Sequence, residues 1–147
     1  MGAKASGEQV VQASAAEVFA VVDDWTRTTD YMRGLKRWEP AGEQTHGVGA
    51  RFAVAMDAGP KTLDSTVEIV ERDEDRRIAW VPVDGVRQSG AWTFEPIDDA
   101  RCRARLDTEF ELGGGLAGRA LAKAAEPVIR RHVGQSVEGL KRLVEGG

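Results

Sequence analysis

The sequence has few of the residues that build disulfide, metal or polyanion sites. Among its 147 residues there is one cysteine, Cys102, so no internal disulfide can form. The only histidines are His46 and His132, and no cluster of cysteine and histidine indicates a metal site. Basic residues number 20 and acidic residues 24, a net charge of -4. Because a nucleic-acid binder normally carries a basic excess, we expect no nucleic-acid partner.

Long apolar runs are also missing. No stretch approaches the roughly 20 apolar residues that a membrane-spanning helix needs. The opening residues, MGAKASGE, lack the apolar segment of a secretory signal, so we expect a cytoplasmic protein. Apolar residues still make up 41% of the chain. At this length they are enough for one domain, over residues 1–147, with a core of its own.

Local patterns divide the chain into a strand, two short helices, a sheet and a long helix. EQVVQAS predicts a strand at 8–13, and Ser14 with Glu17 forms a capping box that starts a helix. Short helices are predicted within residues 15–35, the second with Tyr31, Met32 and Leu35 on one side. Residues 36–112 read as consecutive antiparallel hairpins. A long helix is predicted at 115–145, kinked at Pro127.

The last strand alternates most regularly. Over residues 101–112, charged side chains point one way, and Cys102, Ala104, Leu106, Thr108, Phe110 and Leu112 point the other way. The side chains in the middle of this apolar face are small, and Gly90 on the preceding strand has no side chain at all. Small inward residues leave a hole unless the long helix approaches closely, and Ala120, Ala124 and Ala125 would allow that approach. The sequence therefore leaves open a lined cavity and a packed core.

This order of elements resembles the START-like helix-grip fold. More narrowly, the chain is similar to the polyketide cyclase/dehydrase and lipid-transport group of the SRPBCC superfamily. The resemblance rests on VVQASAAEVFAVVDD, GAWTFEPI, RARLDTEFEL and VEGLKRLVE. It implies an α+β fold in which a curved antiparallel sheet of six to seven strands wraps round the C-terminal helix. It also implies a deep, mostly apolar cavity between them.

The candidate ligand-binding residues are those that this fold would turn towards the cavity. Large flat rings that face the cavity suit aromatic or isoprenoid ligands. Trp25 and Trp38, by contrast, are expected to pack in the core. The candidates are Tyr31, Met32, Leu35, Phe52, Val54, Met56, Ile69, Trp80, Trp92, Phe94, Thr108, Phe110, Val128, His132 and Ser136.

A catalytic set is not evident in the sequence. The resemblance implies that aromatic cyclases of the group use cavity arginines, a tyrosine and a tryptophan. The matching positions here hold Ile69, Pro82, Leu35 and Thr28. Without a cavity cation a developing enolate has little stabilisation, so we assign no catalytic residue and expect no cofactor.

Several polar side chains each allow two interpretations. His132 either serves as a general base or lies half-exposed at the rim. Thr108 and Ser136 either bind a ligand or bond neighbouring backbone. Tyr31 either gates the cavity or packs. Asp23 and Asp24 are expected to cap helix ends in solvent.

Three functions remain at this stage. The favoured one is a non-enzymatic carrier or sensor of a small hydrophobic molecule, such as a lipid, isoprenoid or polyketide. The second is a polyketide cyclase or dehydratase. The third is a protein-interaction module that uses the outward row Arg101, Arg103 and Arg105.

Overall fold

A computed structural model describes residues 2–146. Seven strands form one antiparallel sheet in the order β1-β7-β6-β5-β4-β3-β2. The strands are β1 (Gly2–Val11), β2 (Leu35–Pro40), β3 (Arg51–Asp57), β4 (Thr62–Asp73), β5 (Arg77–Gly85), β6 (Arg87–Asp98) and β7 (Arg101–Glu111). The helices are α1 (Ala15–Asp23), α2 (Thr28–Tyr31) and α3 (Gly115–Gly146), with a 3-10 turn at Trp25–Arg27. This is the predicted α+β helix-grip fold.

The first strand is longer than the sequence pattern predicts. It begins at Gly2 rather than residue 8, and it pairs with all of β7 from Gly2 opposite Glu111 to Val11 opposite Cys102. MGAKAS has weak strand propensity of its own. Pairing along the whole of β7 supplies the backbone hydrogen bonds that this segment needs.

The helix start after β1 follows the predicted capping box. The Ser14 hydroxyl accepts a hydrogen bond from the Glu17 amide and donates one to its carboxylate. The second short helix is reduced to α2, and Leu35 opens β2 instead of lying on a helix. Gly34, at φ 79°, makes that turn because a left-handed backbone suits glycine.

The long helix closes the concave side of the sheet and approaches it closely. At Gly7 in β1, a Cβ would lie 3.2 Å from a methyl group of Val137. At Gly139 in α3, a Cβ would lie 2.8 Å from the carbonyl oxygen of Tyr31. Glycine at both positions therefore lets α3 pack directly on β1 and α2.

The buried stripe of α3 leaves out two residues predicted to face the cavity. Val128 and His132 are only partly buried. The stripe instead follows Ala122, Ala125, Ile129, Val133, Ser136, Val137 and Leu140. An offset of one residue turns a helix by about 100°, which places Val128 and His132 on its flank.

Candidate functional site

A cavity lies where one end of the sheet meets α1, α2 and the loop before β3. Its walls are mainly aromatic, formed by Trp25, Tyr31, Trp38, Phe52, Trp80 and Trp92. The other lining residues are Val22, Asp23, Thr28, Met32, Thr45, His46, Gly47, Ile69, Arg72 and Ile78. No residue of α3 lines it.

The aromatic rings hold one another in fixed orientations. Trp38 stacks on Phe52 at a centroid distance of 5.2 Å and meets Trp80 edge-on at 5.7 Å. Tyr31 meets Trp92 edge-on at 6.0 Å. Such contacts stabilise the rings beyond their burial. The space that they leave is narrow, about 50 Å³, which is enough for a few water molecules.

One wall of the cavity is charged. Arg72 donates from Nε and Nη2 to the two carboxylate oxygens of Asp23, at 2.9 and 2.8 Å. His46 Nε2 lies 2.8 Å from Asp23 Oδ2, and the guanidinium sits 5.1 Å from the Phe19 ring centroid. Burial alone would raise the pKa of Asp23, but the hydrogen bonds with Arg72 and His46 hold it below its ordinary value.

A bulge in β4 turns Arg72 towards the cavity. Simple alternation from Ile69 would place residue 71 inside and residue 72 outside. The register shifts between Ile69 and Glu71, so Ile69 pairs with Trp80 and Glu71 with Ala79. Val70 and Glu71 are both exposed as a result, and Arg72 faces inward.

The structure thus supplies the cavity cation that sequence alignment missed. The expected position, Ile69, does line the cavity, but the arginine stands three residues later. The sequence did contain one signal, an arginine three residues after the inward-facing Ile69. Strict alternation of side chains would turn that arginine outward. A bulge can correct such a phase, but its position is not readable from one sequence.

The two neighbouring aspartates have separate roles. Asp24 caps the 3-10 turn by accepting hydrogen bonds from the amide and hydroxyl of Thr26, as predicted. Asp23 was expected to do the same and does not. Its side chain is only 18% exposed and belongs to the charged wall.

Comparison with known proteins assigns the chain to a family. Residues 2–145 match the family model described as "Polyketide cyclase / dehydrase and lipid transport". The chain belongs to this family. No curated protein matches it in sequence.

Solved structures of several kinds share the fold of this family member. A Thermus thermophilus protein superposes with a TM-score of 0.82 at 21% identity, covering 97% of each chain. The Zhui aromatase/cyclase of a Streptomyces species gives 0.81 at 19% identity, covering 99% of this chain and 94% of that one. A START superfamily protein from Mycobacterium smegmatis gives 0.74 at 15% identity, with 97% of each chain covered.

The cavity of this polyketide cyclase/dehydrase family member includes part of the predicted ligand set. Tyr31, Met32, Phe52, Ile69, Trp80 and Trp92 line it. Trp25 and Trp38, expected only to pack, line it as well. Tyr31 packs, since it is 1% exposed, and it also borders the cavity. Burial raises the pKa of its phenol.

Other predicted residues lie outside this cavity. Val54, Met56, Phe94 and Phe110 are buried in the core, and Leu35 is partly buried against it. Val128 lies against the β3–β4 turn, where a Cβ on Gly59 would be 3.0 Å from its methyl group.

The two predicted hydroxyl groups bond backbone. Thr108 donates to the Ala5 carbonyl at 3.2 Å. Ser136 donates to the His132 carbonyl at 2.6 Å and accepts from the Arg33 amide at 2.8 Å. Both hydroxyls thus tie elements together.

His132 lies beside Gly34, on the flank of α3. A Cβ on Gly34 would overlap the imidazole ring, so the ring packs on bare backbone. Its Nε2 is 3.8 Å from Asp57 Oδ2, and neither ring nitrogen has a hydrogen-bond partner among residues 2–146.

Within residues 2–146, no helix has the length and apolar character needed to cross a membrane. The same part of the chain contains no group of three or more potential metal ligands.

The outward arginine row of β7 is paired. Arg101 contacts Asp98, Arg103 contacts Glu95, and Arg105 contacts Asp107. Each positive charge has a carboxylate neighbour on the same face. The row therefore offers an interaction partner no strong excess of charge.

Proposed function

We propose that this protein binds one small, flat hydrophobic molecule in the aromatic cavity, as a carrier or sensor. The observation that carries the proposal is the convergence of six aromatic rings on one space with a guanidinium in its wall. Aromatic rings stabilise flat apolar ligands, and a few placed polar groups fix their orientation. A polyketide-like or other aromatic compound with one oxygen-bearing end meets both requirements.

Arg72 has donors to offer such a ligand. A guanidinium carries five N–H groups, and Asp23 takes two of them. The side chain is 24% exposed, so a ligand at the mouth can reach it. A carboxylate or phenolate oxygen, which carries negative charge, is the natural acceptor.

The mouth has to widen for such a ligand to enter. The loop that carries Thr45, His46 and Gly47 lines the cavity and is held to α1 by the His46–Asp23 contact. Its backbone is fastened by Gln44, which donates to the carbonyls of His46 and Val48, and by the Ala50 amide, which donates to the Gly47 carbonyl. Few bonds of this loop need to break, so displacement of the loop is the expected route of entry.

A titration with anilinonaphthalene sulfonate tests the binding proposal. This probe combines flat rings with an anionic group, and its fluorescence rises in apolar surroundings. We expect saturable binding by the wild type. Phe52→Leu and Arg72→Met should each weaken it about tenfold, the effect of roughly 1.4 kcal/mol.

Matched variants make the test specific. Phe110→Leu removes a similarly buried ring outside the cavity, and Arg51→Met removes a β3 arginine paired with Glu68. Both should bind the probe as the wild type does. Equal weakening by the controls, or no saturable binding at all, would contradict a ligand site in this cavity.

A second candidate function, enolate chemistry of the cyclase type, is favoured by Arg72 alone. Enolisation moves a proton from the carbon beside a carbonyl to a base and leaves negative charge on the oxygen. Arg72 would stabilise that oxygen and an imidazole nitrogen of His46 would take the proton.

Proton exchange distinguishes the enzyme from the binder. The methyl protons of 1-acetylnaphthalene exchange slowly in deuterated water, and NMR follows their loss. An enzyme of this type should accelerate the exchange, and Arg72→Met should abolish the acceleration. Binding without acceleration supports the carrier or sensor.

A further inference from the structure

Trp80 carries a buried hydrogen-bond donor with no acceptor. Its side chain is 5% exposed, and its indole Nε1 has no partner among residues 2–146. Indole N–H groups usually find a partner when they are buried. Leaving one without an acceptor destabilises a protein, so an unpaired donor requires an explanation.

The surrounding backbone fixes the position of the ring. Trp80 is the last residue of β5 that pairs with β6, where it lies opposite Gly90. A Cβ at Gly90 would overlap the six-membered part of the indole, so only glycine admits the ring there. On its other side Trp80 pairs with Ile69 of β4, and Trp38 meets the ring edge-on. Turning the ring would break these contacts.

The strands on the Gly90 side of Trp80 separate beside its ring. Beyond Trp80 and Gly90, β5 and β6 no longer pair. Instead β5 continues along β4, and β6 continues along β7. The strands separate at this point, and Trp80 fills the start of the gap, lining the cavity on the inner side.

We propose that Trp80 is a specificity-determining residue whose indole N–H donates to an acceptor oxygen of the bound ligand. The inference rests on the proposed binding function and adds to it. Arg72 lies in the charged wall and Trp80 in the aromatic wall of the same cavity. The preferred ligand therefore carries a carbonyl or ether oxygen on its flat ring system, in addition to any group held by Arg72. A pure hydrocarbon leaves the donor unpaired and binds less tightly.

Two isosteric probes test this role. The probe 1-acetylnaphthalene has a carbonyl oxygen where 1-isopropenylnaphthalene has a methylene group, so the pair differs in one acceptor. We expect the wild type to bind the ketone about tenfold more tightly, because the alkene leaves a buried donor unpaired. Trp80→Phe keeps an aromatic ring without the donor. It should bind both probes alike, with alkene affinity within about threefold of the wild type.

Two further variants locate the preference. Trp38→Phe changes another cavity tryptophan and should keep the ketone preference, as should Arg72→Met. In a spectrum of the nitrogen-15-labelled protein, the Trp80 indole proton signal should move further downfield with the ketone than with the alkene. That shift reports a hydrogen bond, which a merely structural role of Trp80 would not produce.

The outcomes separate this inference from the proposed function. Equal binding of ketone and alkene by the wild type overturns the role of Trp80 and leaves the binding site intact. A ketone preference that survives in Trp80→Phe but disappears in Arg72→Met assigns the recognition to Arg72 and also overturns it. Failure of the wild type to bind either probe contradicts both proposals.

Discussion

The inner face of the sheet has two halves that use small residues in opposite ways. Under α3, glycine and alanine bring helix and sheet into contact, and Cys102, Ala104 and Leu106 are fully buried without lining the cavity. At the other end, Gly90 makes room for the Trp80 ring beside the cavity. The small residues of β7 therefore indicate close packing, and the open space lies among the largest side chains. A lean apolar face is consequently no sign of a cavity by itself.

The largest effect is expected where a small residue faces an aromatic one. Gly90→Ala places a methyl group against the Trp80 ring, which must move into the cavity or spread the strands. We expect a loss of about 2–3 kcal/mol in the free energy of unfolding. Affinity for anilinonaphthalene sulfonate should fall at least about tenfold. Urea unfolding and a fluorescence titration measure the two effects.

Gly7→Ala is the matched change in the packed half. Its methyl group would touch Val137 and Val133 at 3.2 and 3.4 Å, and neither of these residues lines the cavity. Stability should change modestly, and probe affinity should stay as in the wild type. If Gly7→Ala weakened the probe as much as Gly90→Ala, the two halves would not be independent.

The close approach of α3 is tested within the helix itself. Alanine favours a helix over glycine by about 0.8–1 kcal/mol. Gly134 has open space around a Cβ, so Gly134→Ala should stabilise the protein by roughly that amount. Gly139→Ala forces the helix away from the Tyr31 carbonyl and should destabilise it by about 1–2 kcal/mol instead.

Thermal unfolding of both variants gives the comparison. Opposite shifts of the melting temperature confirm that backbone proximity, and not helix propensity, governs position 139. Stabilisation by both substitutions would mean that α3 has room to move, and the packed half would then not be tight.

Sequence patterns specify the fold better than they specify the site. Alternation in β7 and the Ser14 capping box depend on neighbouring residues only, so both are readable. The length of β1 depends on its partner strand. Arg72 depends on a bulge, and the pairing of Asp23 depends on Arg72, which lies 49 residues further along the chain. Such features arise from the pairing of segments that are distant in sequence, which local periodicity does not reveal.

A pH dependence is expected in the cavity half. Because its native pKa lies below the ordinary value, ionised Asp23 contributes stability above the unfolded pKa of about 3.9. That contribution is lost as the pH falls through the native pKa. Asp23→Asn should therefore cost about 1 kcal/mol at pH 7, as for a partly exposed charge-assisted hydrogen bond, and less at pH 3.

Urea midpoints of the wild type and Asp23→Asn over this pH range measure the difference. Asp64→Asn is a suitable control, because Asp64 is an exposed strand residue whose carboxylate makes no ion pair within residues 2–146. A constant gap between the wild type and Asp23→Asn down to pH 3 would contradict the ionised pair.

The smallest effect concerns His132. It lies outside the cavity, on the flank of α3 and beside Gly34. His132→Leu should leave probe affinity and ketone preference unchanged within about twofold, whereas His46→Leu, at the mouth, should alter probe affinity. Fluorescence titration of both variants measures the two probe affinities. A larger loss in His132→Leu would show that the ligand reaches beneath α3, and the division between a packed half and a binding half would then fail.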